Sequence, residues 1–360
     1  MSTTQTDHRP RRIRPWWYAL ALLLSLGIVA LVLYSTGVYD SWRDGRSLDE
    51  ACDGTLAQGG LASALGSSDL RADADEGDSS LAECFVKTSG SEKGRGVKVT
   101  LRWSTATAPS GDSTWYDEAT KGLKGQAAPL GNGWPGIVRN DGTWQIAVAL
   151  DCVNHKNKAL VAYGDLYGTS DHAALTGLGQ VTSETAAKAA EKYGCQAKTG
   201  KRITDVSTSR LGTPGTTGTP LKKAQGSCSA LRGLAAEATR NGLTGAMEYP
   251  ADTHAPQVNC YLTTASKKPG YGLYAYYGTM AQDFQAGGFP KFTEDFARAT
   301  AKCPRSGQET VFVIYPLYDR DTESYPVHYS AEFARSVLKS FAEHEATARG
   351  CSDVHMASPS

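Results

Sequence analysis

Gly96-Val-Lys-Val-Thr-Leu-Arg-Trp103 and Gly272-Leu-Tyr-Ala-Tyr-Tyr277 decide the fold. In the first, Val97, Val99, Leu101 and Trp103 alternate with Lys98, Thr100 and Arg102. Apolar residues at every second position mark a half-buried strand. The two stretches lie 176 residues apart, and the same offset maps Cys52 onto Cys228, Gly66 onto Gly242 and Cys84 onto Cys260. Cys52 to Cys84 is 32 residues, and so is Cys228 to Cys260. Later the register shifts: Cys152 precedes Cys195 by 43 residues, and Cys303 precedes Cys351 by 48. Both last cysteines follow a helical run ending in glycine, Tyr193-Gly194-Cys195 and Arg349-Gly350-Cys351. We read two copies of one domain, over 47–198 and 224–352.

Around these strands the local signals are consistent. Ser47-Leu-Asp-Glu50 has the form of a capping box and predicts a short helix to about Leu65. Cys84-Phe-Val pairs with Val97–Trp103 as a hairpin around Ser89–Gly96. Asn140-Asp-Gly142 joins Ile137-Val138 to Trp144–Leu150 in a second hairpin. Ala159–Leu166 is a further strand, and 183–193 an Ala-rich helix stopped by Gly194. Residues 199–223, with Thr213-Pro-Gly-Thr-Thr-Gly-Thr-Pro220, have linker composition. The second copy predicts a helix from Ser229 to Asn241, a hairpin through Lys267-Lys-Pro-Gly270, a helical stretch near Phe292–Thr300, and a strand over Thr310–Tyr315. A long last helix follows, capped by Ser330, with Phe333, Val337, Leu338 and Phe341 on one face. Residues 353–360 form a tail.

The N-terminus points to a compartment. Trp16 to Tyr34 carries no charge over 19 residues. As a helix it would rise about 28 Å, close to the thickness of a bilayer's hydrocarbon core. Trp16, Trp17, Tyr18 and Tyr34 flank it, and Arg9, Arg11, Arg12 and Arg14 precede it. The expectation is a single-pass transmembrane signal anchor over 16–39, in contact with the lipid bilayer. The 1–15 tail would be cytoplasmic and the two copies extracytoplasmic. The fold class expected is therefore α+β: an N-terminal transmembrane helix, then two tandem antiparallel sheets, each disulfide-stapled and covered by helices.

Composition narrows the chemistry. Lys+Arg and Asp+Glu are both 37, so formal net charge is zero. With no basic stripe after the N-terminal cluster, nucleic acid is not an expected partner. The eight cysteines, Cys52, Cys84, Cys152, Cys195, Cys228, Cys260, Cys303 and Cys351, all follow the apolar run. No Cys-x-x-Cys occurs, so a disulfide framework is favoured over metal. Four cysteines per copy allow three connectivities. The duplication and proximity favour Cys52–Cys84, Cys152–Cys195, Cys228–Cys260 and Cys303–Cys351.

No catalytic constellation is evident. Gly-x-Ser-x-Gly, His-Glu-x-x-His and a Gly-rich phosphate loop are all absent from the sequence. Lys198-Thr-Gly200 and Ser336-Val-Leu-Lys339 are similar to motifs of penicillin-binding enzymes, but in reversed order. Asp73, Asp75 and Asp78 lack the spacing and sixth-position glycine of a calcium loop. No metal or cofactor is expected. One feature suggests a surface: Tyr274 and Tyr276 share a strand face, opposite Leu273 and Tyr277. Left uncovered, that face could stack against sugar rings or a partner protein. Tyrosines also suit sheets and pack under helices.

The order Cys, short helix with Leu and Gly, then Cys opening a strand recurs as Cys52…Leu65-Gly66…Cys84 and Cys228…Gly242…Cys260. It resembles the uncharacterised secreted and lipoprotein domains of actinobacteria, of the DUF3558-like type. The resemblance covers the first third of each copy and departs in lacking a lipoprotein cysteine and in being duplicated. It implies a cell-envelope location and no assigned reaction. The function expected is a non-enzymatic binding or envelope-associated module, with another envelope protein or a wall polymer as partner. The alternative is a cell-envelope hydrolase whose site forms only in the fold.

Overall fold

The computed structural model describes residues 16, 20, 22–28 and 38–357, except 75–79, 90–94, 106–125, 141, 156, 169, 209–210, 212–217, 287–296, 305–308 and 320. Met1–Arg46 and Ser47–Ser360 are separate compact units. In the first, the described residues 16, 20 and 22–28 are helical, and their side chains, Trp16, Leu22, Leu23 and Leu24 among them, are exposed.

The expected transmembrane helix is corrected here. Among the described residues, no helix is long and apolar enough to cross a membrane. Within 16–39 the described residues 16, 20, 22–28 and 38–39 are helical. Residues 17–19, 21 and 29–37 lie outside the described residues.

The second unit is α+β, with two seven-stranded antiparallel sheets. The first contains β1 (Leu70–Ala74), β2 (Ala82–Thr88), β3 (Gly96–Thr105), β4 (Ala127–Pro129), β5 (Gly136–Asn140), β6 (Trp144–Asp151) and β7 (Lys158–Tyr167). The second contains β8 (Thr219–Pro220), β9 (Leu243–Glu248), β10 (Gln257–Thr264), β11 (Pro269–Tyr276), β12 (Ala297–Lys302), β13 (Glu309–Pro316) and β14 (His355–Met356). The spatial orders are β1-β2-β3-β7-β6-β5-β4 and β14-β12-β13-β11-β10-β9-β8. Both contain one five-strand plan, β1-β2-β3-β7-β6 in the first and β9-β10-β11-β13-β12 in the second. The first adds the β5–β4 hairpin at one edge, while the second adds β14 and β8 at its two edges.

Among the described residues from 38 onward, the α-helices are α1 (Val38–Gly54), α2 (Leu61–Leu65), α3 (His172–Lys192), α4 (Ala235–Arg240), α5 (Gly278–Ala286) and α6 (Ala331–Ala348). Ser47 lies inside α1 rather than capping it, and its hydroxyl accepts the amide of Ala72 at 3.1 Å. Cys52 and Asp53 take left-handed backbone angles, φ 50° and 56°, which end the regular helix. Helix α3 starts eleven residues earlier than the Ala-rich pattern implies, capped by Asp171, whose carboxylate accepts the amide of Ala174 at 2.7 Å. Gly177 and Gly179 disguise that helix in the sequence. Gly177 is small for a reason: a Cβ there would stand 2.5 Å from the amide nitrogen of Ala64 and 2.6 Å from the carbonyl of Gly60. The two helices touch backbone to backbone. The helix expected near Phe292–Thr300 is instead strand β12 over its described part, with Ala297, Ala299 and Ala301 buried and Arg298 and Thr300 half-buried. Ala-Arg-Ala-Thr-Ala-Lys alternates with period two, and that pattern prevails over the helical propensity of alanine.

Four disulfides join Cys52–Cys84, Cys152–Cys195, Cys228–Cys260 and Cys303–Cys351. Each staples a helix or its approach to the outer face or end of its own sheet. In the first sheet, Val97, Val99 and Leu101 pair across with Leu166, Gly164 and Ala162, and this face lies under α2 and α3. In the second, Leu273, Phe312 and Ile314 lie under α6. The other two faces look inward. Helix α5, from the second copy, lies against β3 and β6 of the first, and β4 lies against β10. The unit is thus a helix–sheet–sheet–helix stack. One apolar cluster runs from the helix-covered face of the first sheet to the inward face of the second and draws on both copies.

The residues after Cys195 are more than a tether. Ile203 and Val206 are fully buried in that cluster, and Trp134 donates its indole N–H to the carbonyl of Lys201 at 2.6 Å. Of the Thr213–Pro220 run, 213–217 lie outside the described residues.

Candidate functional site

The tyrosine face is interior. Tyr274 is 0% exposed and Tyr276 1%. Tyr274 meets Tyr261 edge-on at 5.8 Å and Tyr315 at 6.1 Å, and Tyr276 stacks on Phe284 of α5 at 4.6 Å. Burial pushes the Tyr274 phenol well above its ordinary value. The face proposed to meet a sugar or a partner is covered by α5 and the first copy. The aromatic rings that remain open lie elsewhere: Tyr325 is exposed and packs edge-on against Tyr318 at 5.4 Å.

All eight cysteines are consumed in disulfides. Three of the bridges are buried, whereas Cys303 and Cys351 are half-buried. Among the described residues, no three His, Cys, Asp or Glu side chains are placed to hold a metal ion.

Two hollows open where the copies meet. The larger, of 550 Å³, is lined by Ala128 and Ser207 on one side and Lys223, Glu248 and Tyr249 on the other. Its carboxylate is already committed: Glu248 accepts the amide of Gln225 at 3.0 Å and that of Gly226 at 2.7 Å. That arrangement holds a turn of the chain and leaves little for a ligand.

The second hollow, of 420 Å³, carries more chemistry. The first copy contributes Ala149, Asp151 and Lys198; the second contributes His254, Tyr277, Gly278 and Arg349. Asp151 ends β6 on the parity of Ala147 and Ala149, the inward face. It stands at the start of α5, where Thr279 donates its hydroxyl to Asp151 Oδ1 at 2.9 Å. A carboxylate from one copy thus caps a helix of the other. Gly278, at φ 52°, admits it: a Cβ there would lie 2.5 Å from Asp151 Oδ2. Asp151 is exposed at the cleft, with one side of its carboxylate packed against Gly278 and Thr279. Desolvation raises its pKa above the usual carboxylate value, and the hydrogen bonds from Thr279 only partly oppose this.

The wall beside it is preformed. Arg349 forms a buried ion pair with Glu345, stacks over the Tyr277 ring at 3.8 Å, and donates to the carbonyls of Asp252 and Ala255 at 3.0 and 3.2 Å. Tyr277 donates to Glu345 Oε2 at 3.1 Å, and burial together with that carboxylate holds its phenol far above the ordinary value. His254 is exposed, with Nδ1 3.1 Å from Asp252 Oδ1.

None of these groups stands out in the sequence. Asp151 has one weak signal: it is a charge on the inward parity of an otherwise apolar strand. Thr279, His254 and Lys198 have none, because their neighbourhood comes from docking one copy on the other. Comparisons with protein-family models, curated proteins and solved structures find no match.

Proposed function

We propose that the chain is an extracytoplasmic, non-enzymatic binding protein whose ligand site is the 420 Å³ cleft between its two copies. The observation that carries this reading is Asp151: a carboxylate held by Thr279 and open to solvent, in a cleft to which both copies contribute. Ligand sites are commonly concave, largely preformed, and supplied with a few convergent polar groups, at volumes of roughly 300–1,000 Å³. The four disulfides support an oxidising compartment outside the cytoplasm. A cleft of this size suits a small molecule or the end of a wall polymer or peptide better than a flat protein surface.

A second reading, an envelope hydrolase, draws on the Asp252–His254 pair at the same cleft, since an imidazole held by a carboxylate is the usual form of a general base. Among the described residues, no hydroxyl or thiol hydrogen-bonds that ring, so the pair lacks its nucleophile.

Turnover separates the two. The full chain is assayed against chromogenic ester, amide and glycoside substrates beside a His254→Ala variant. The binding reading predicts equal, background rates for both proteins. Turnover that the substitution abolishes would overturn it in favour of a hydrolase.

A further inference from the structure

The charges of the cleft can be matched against one another. Four of its lining side chains besides Tyr277 ionise: Asp151, Lys198, His254 and Arg349. Arg349 is neutralised by Glu345 and held by two backbone carbonyls. His254 is bound to Asp252. One anion and one cation are left, Asp151 and Lys198. Among the described residues, neither forms an ion pair, with the other or with a neighbour; the hydrogen-bond partner of the Asp151 carboxylate is the neutral Thr279.

That pattern leaves one charge of each sign available to a ligand. Asp151 is packed on one side against Gly278 and Thr279 and reaches solvent on the other, so an ammonium can approach its open side. Lys198 is exposed on the first copy, three residues beyond Cys195, so the bridge to Cys152 holds its segment beside the end of β6. A metal ion is a poor filler, because calcium takes six to eight oxygen ligands and magnesium near-octahedral geometry. Here one carboxylate is offered, and no cluster of three ligating side chains exists among the described residues. An organic ion fits the volume and the mixed wall of Ala149, Ala255 and Tyr277 better.

We infer that the cleft takes a small zwitterion, a free amino acid or the end of a short peptide. Its ammonium rests on the Asp151 carboxylate and its carboxylate faces Lys198. This rests on the binding reading above and names the ligand class of the same site. The two charged ends do not contribute equally. The Asp151 carboxylate is held by Thr279 with its other side open to the cleft, so it meets an ammonium in a charge-assisted hydrogen bond from a fixed position. Lys198 is a long, exposed side chain that must be ordered to reach the ligand, so its contribution is the smaller one.

The test uses the full chain and three probes at pH 7, followed by titration calorimetry: L-alanyl-L-alanine, its N-acetyl derivative, which lacks the ammonium, and its C-terminal amide, which lacks the carboxylate. The unmodified dipeptide binds best. The N-acetyl derivative binds about tenfold or more weaker, and the amide about threefold weaker. In Asp151→Asn the dipeptide falls to the level of the N-acetyl derivative, and acetylation then costs nothing further, as a double-mutant cycle requires for groups in contact. The probe comparison on the unaltered protein stands even if that variant misfolds. Equal binding of all three probes overturns the zwitterion while leaving the binding cleft intact. Binding by none of them overturns the zwitterion too, and the turnover assay with His254→Ala then decides whether the binding reading falls with it.

Discussion

The carboxylate of Asp151, at the end of β6, accepts the hydroxyl of Thr279, at the start of α5, across 2.9 Å between the two copies. The bond joins the last residue of a strand in one copy to the first turn of a helix in the other. It fixes how α5 sits on the inner face of the first sheet, and it forms one end of the cleft.

Removing that bond weakens the join. Thr279→Val keeps the volume and deletes the donor to the Asp151 carboxylate. We expect a loss of about 1 kcal/mol, read as a lower urea midpoint. A midpoint equal to that of the unaltered protein would show that the contact contributes nothing to docking.

Acidity acts on the same carboxylate. Its pKa is raised in the folded chain, so the folded state binds its proton more tightly than the unfolded chain does. The contribution of Asp151 to stability is therefore fully present below the unfolded carboxylate pKa of about 3.9 and is lost as pH rises through the raised folded value. Asp151→Asn, which keeps an acceptor for Thr279, should flatten this. The difference in stability between variant and unaltered protein should shift in the variant's favour as pH rises from about 4. Asp319 behaves oppositely: Lys268, at 2.6 Å, holds its carboxyl at about 2, so its contribution is present above the unfolded value and lost in acid. A difference curve that is flat from pH 4 to 7 would contradict the assignment for Asp151.

Tyr274 tests the closed interior. Tyr274→Ala opens a void at the centre of the stack and should cost about 3–5 kcal/mol, while Tyr274→Phe keeps the ring and should cost far less. If the face were a binding surface, the alanine variant would instead stay stable and lose affinity for its partner.

The contact between α2 and α3 has no room for a methyl group. Gly177→Ala places a Cβ about where the Ala64 amide and Gly60 carbonyl already lie, so the helices must part. The expected cost is about 1–3 kcal/mol by thermal or urea unfolding. A neutral effect would mean that the helices are further apart.

The alternating strands and the cysteine spacing made the two sheets legible, because both signals are local or repeated. Cys52–Cys84 and Cys228–Cys260 could be paired from one shared spacing, and the five-strand plan follows the same duplication. What the sequence concealed depends on the docking of the copies. Tyr274 and Tyr276 look like an amphipathic strand face until α5 covers them. Gly177 reads as a helix breaker until Gly60 is seen against it. Asp151 is one of 37 acidic residues until Thr279 and Gly278 are brought to it. The strand at Ala297–Lys302 was hidden by alanines that also favour helices.

The most direct test is a disulfide map of the full chain produced in an oxidising compartment, read by peptide mass spectrometry without reduction. The account predicts four bridges within copies, Cys52–Cys84, Cys152–Cys195, Cys228–Cys260 and Cys303–Cys351, and no free thiol. Free thiols, or bridges that cross from one copy to the other, would contradict both the duplicated fold and the extracytoplasmic reading built on it.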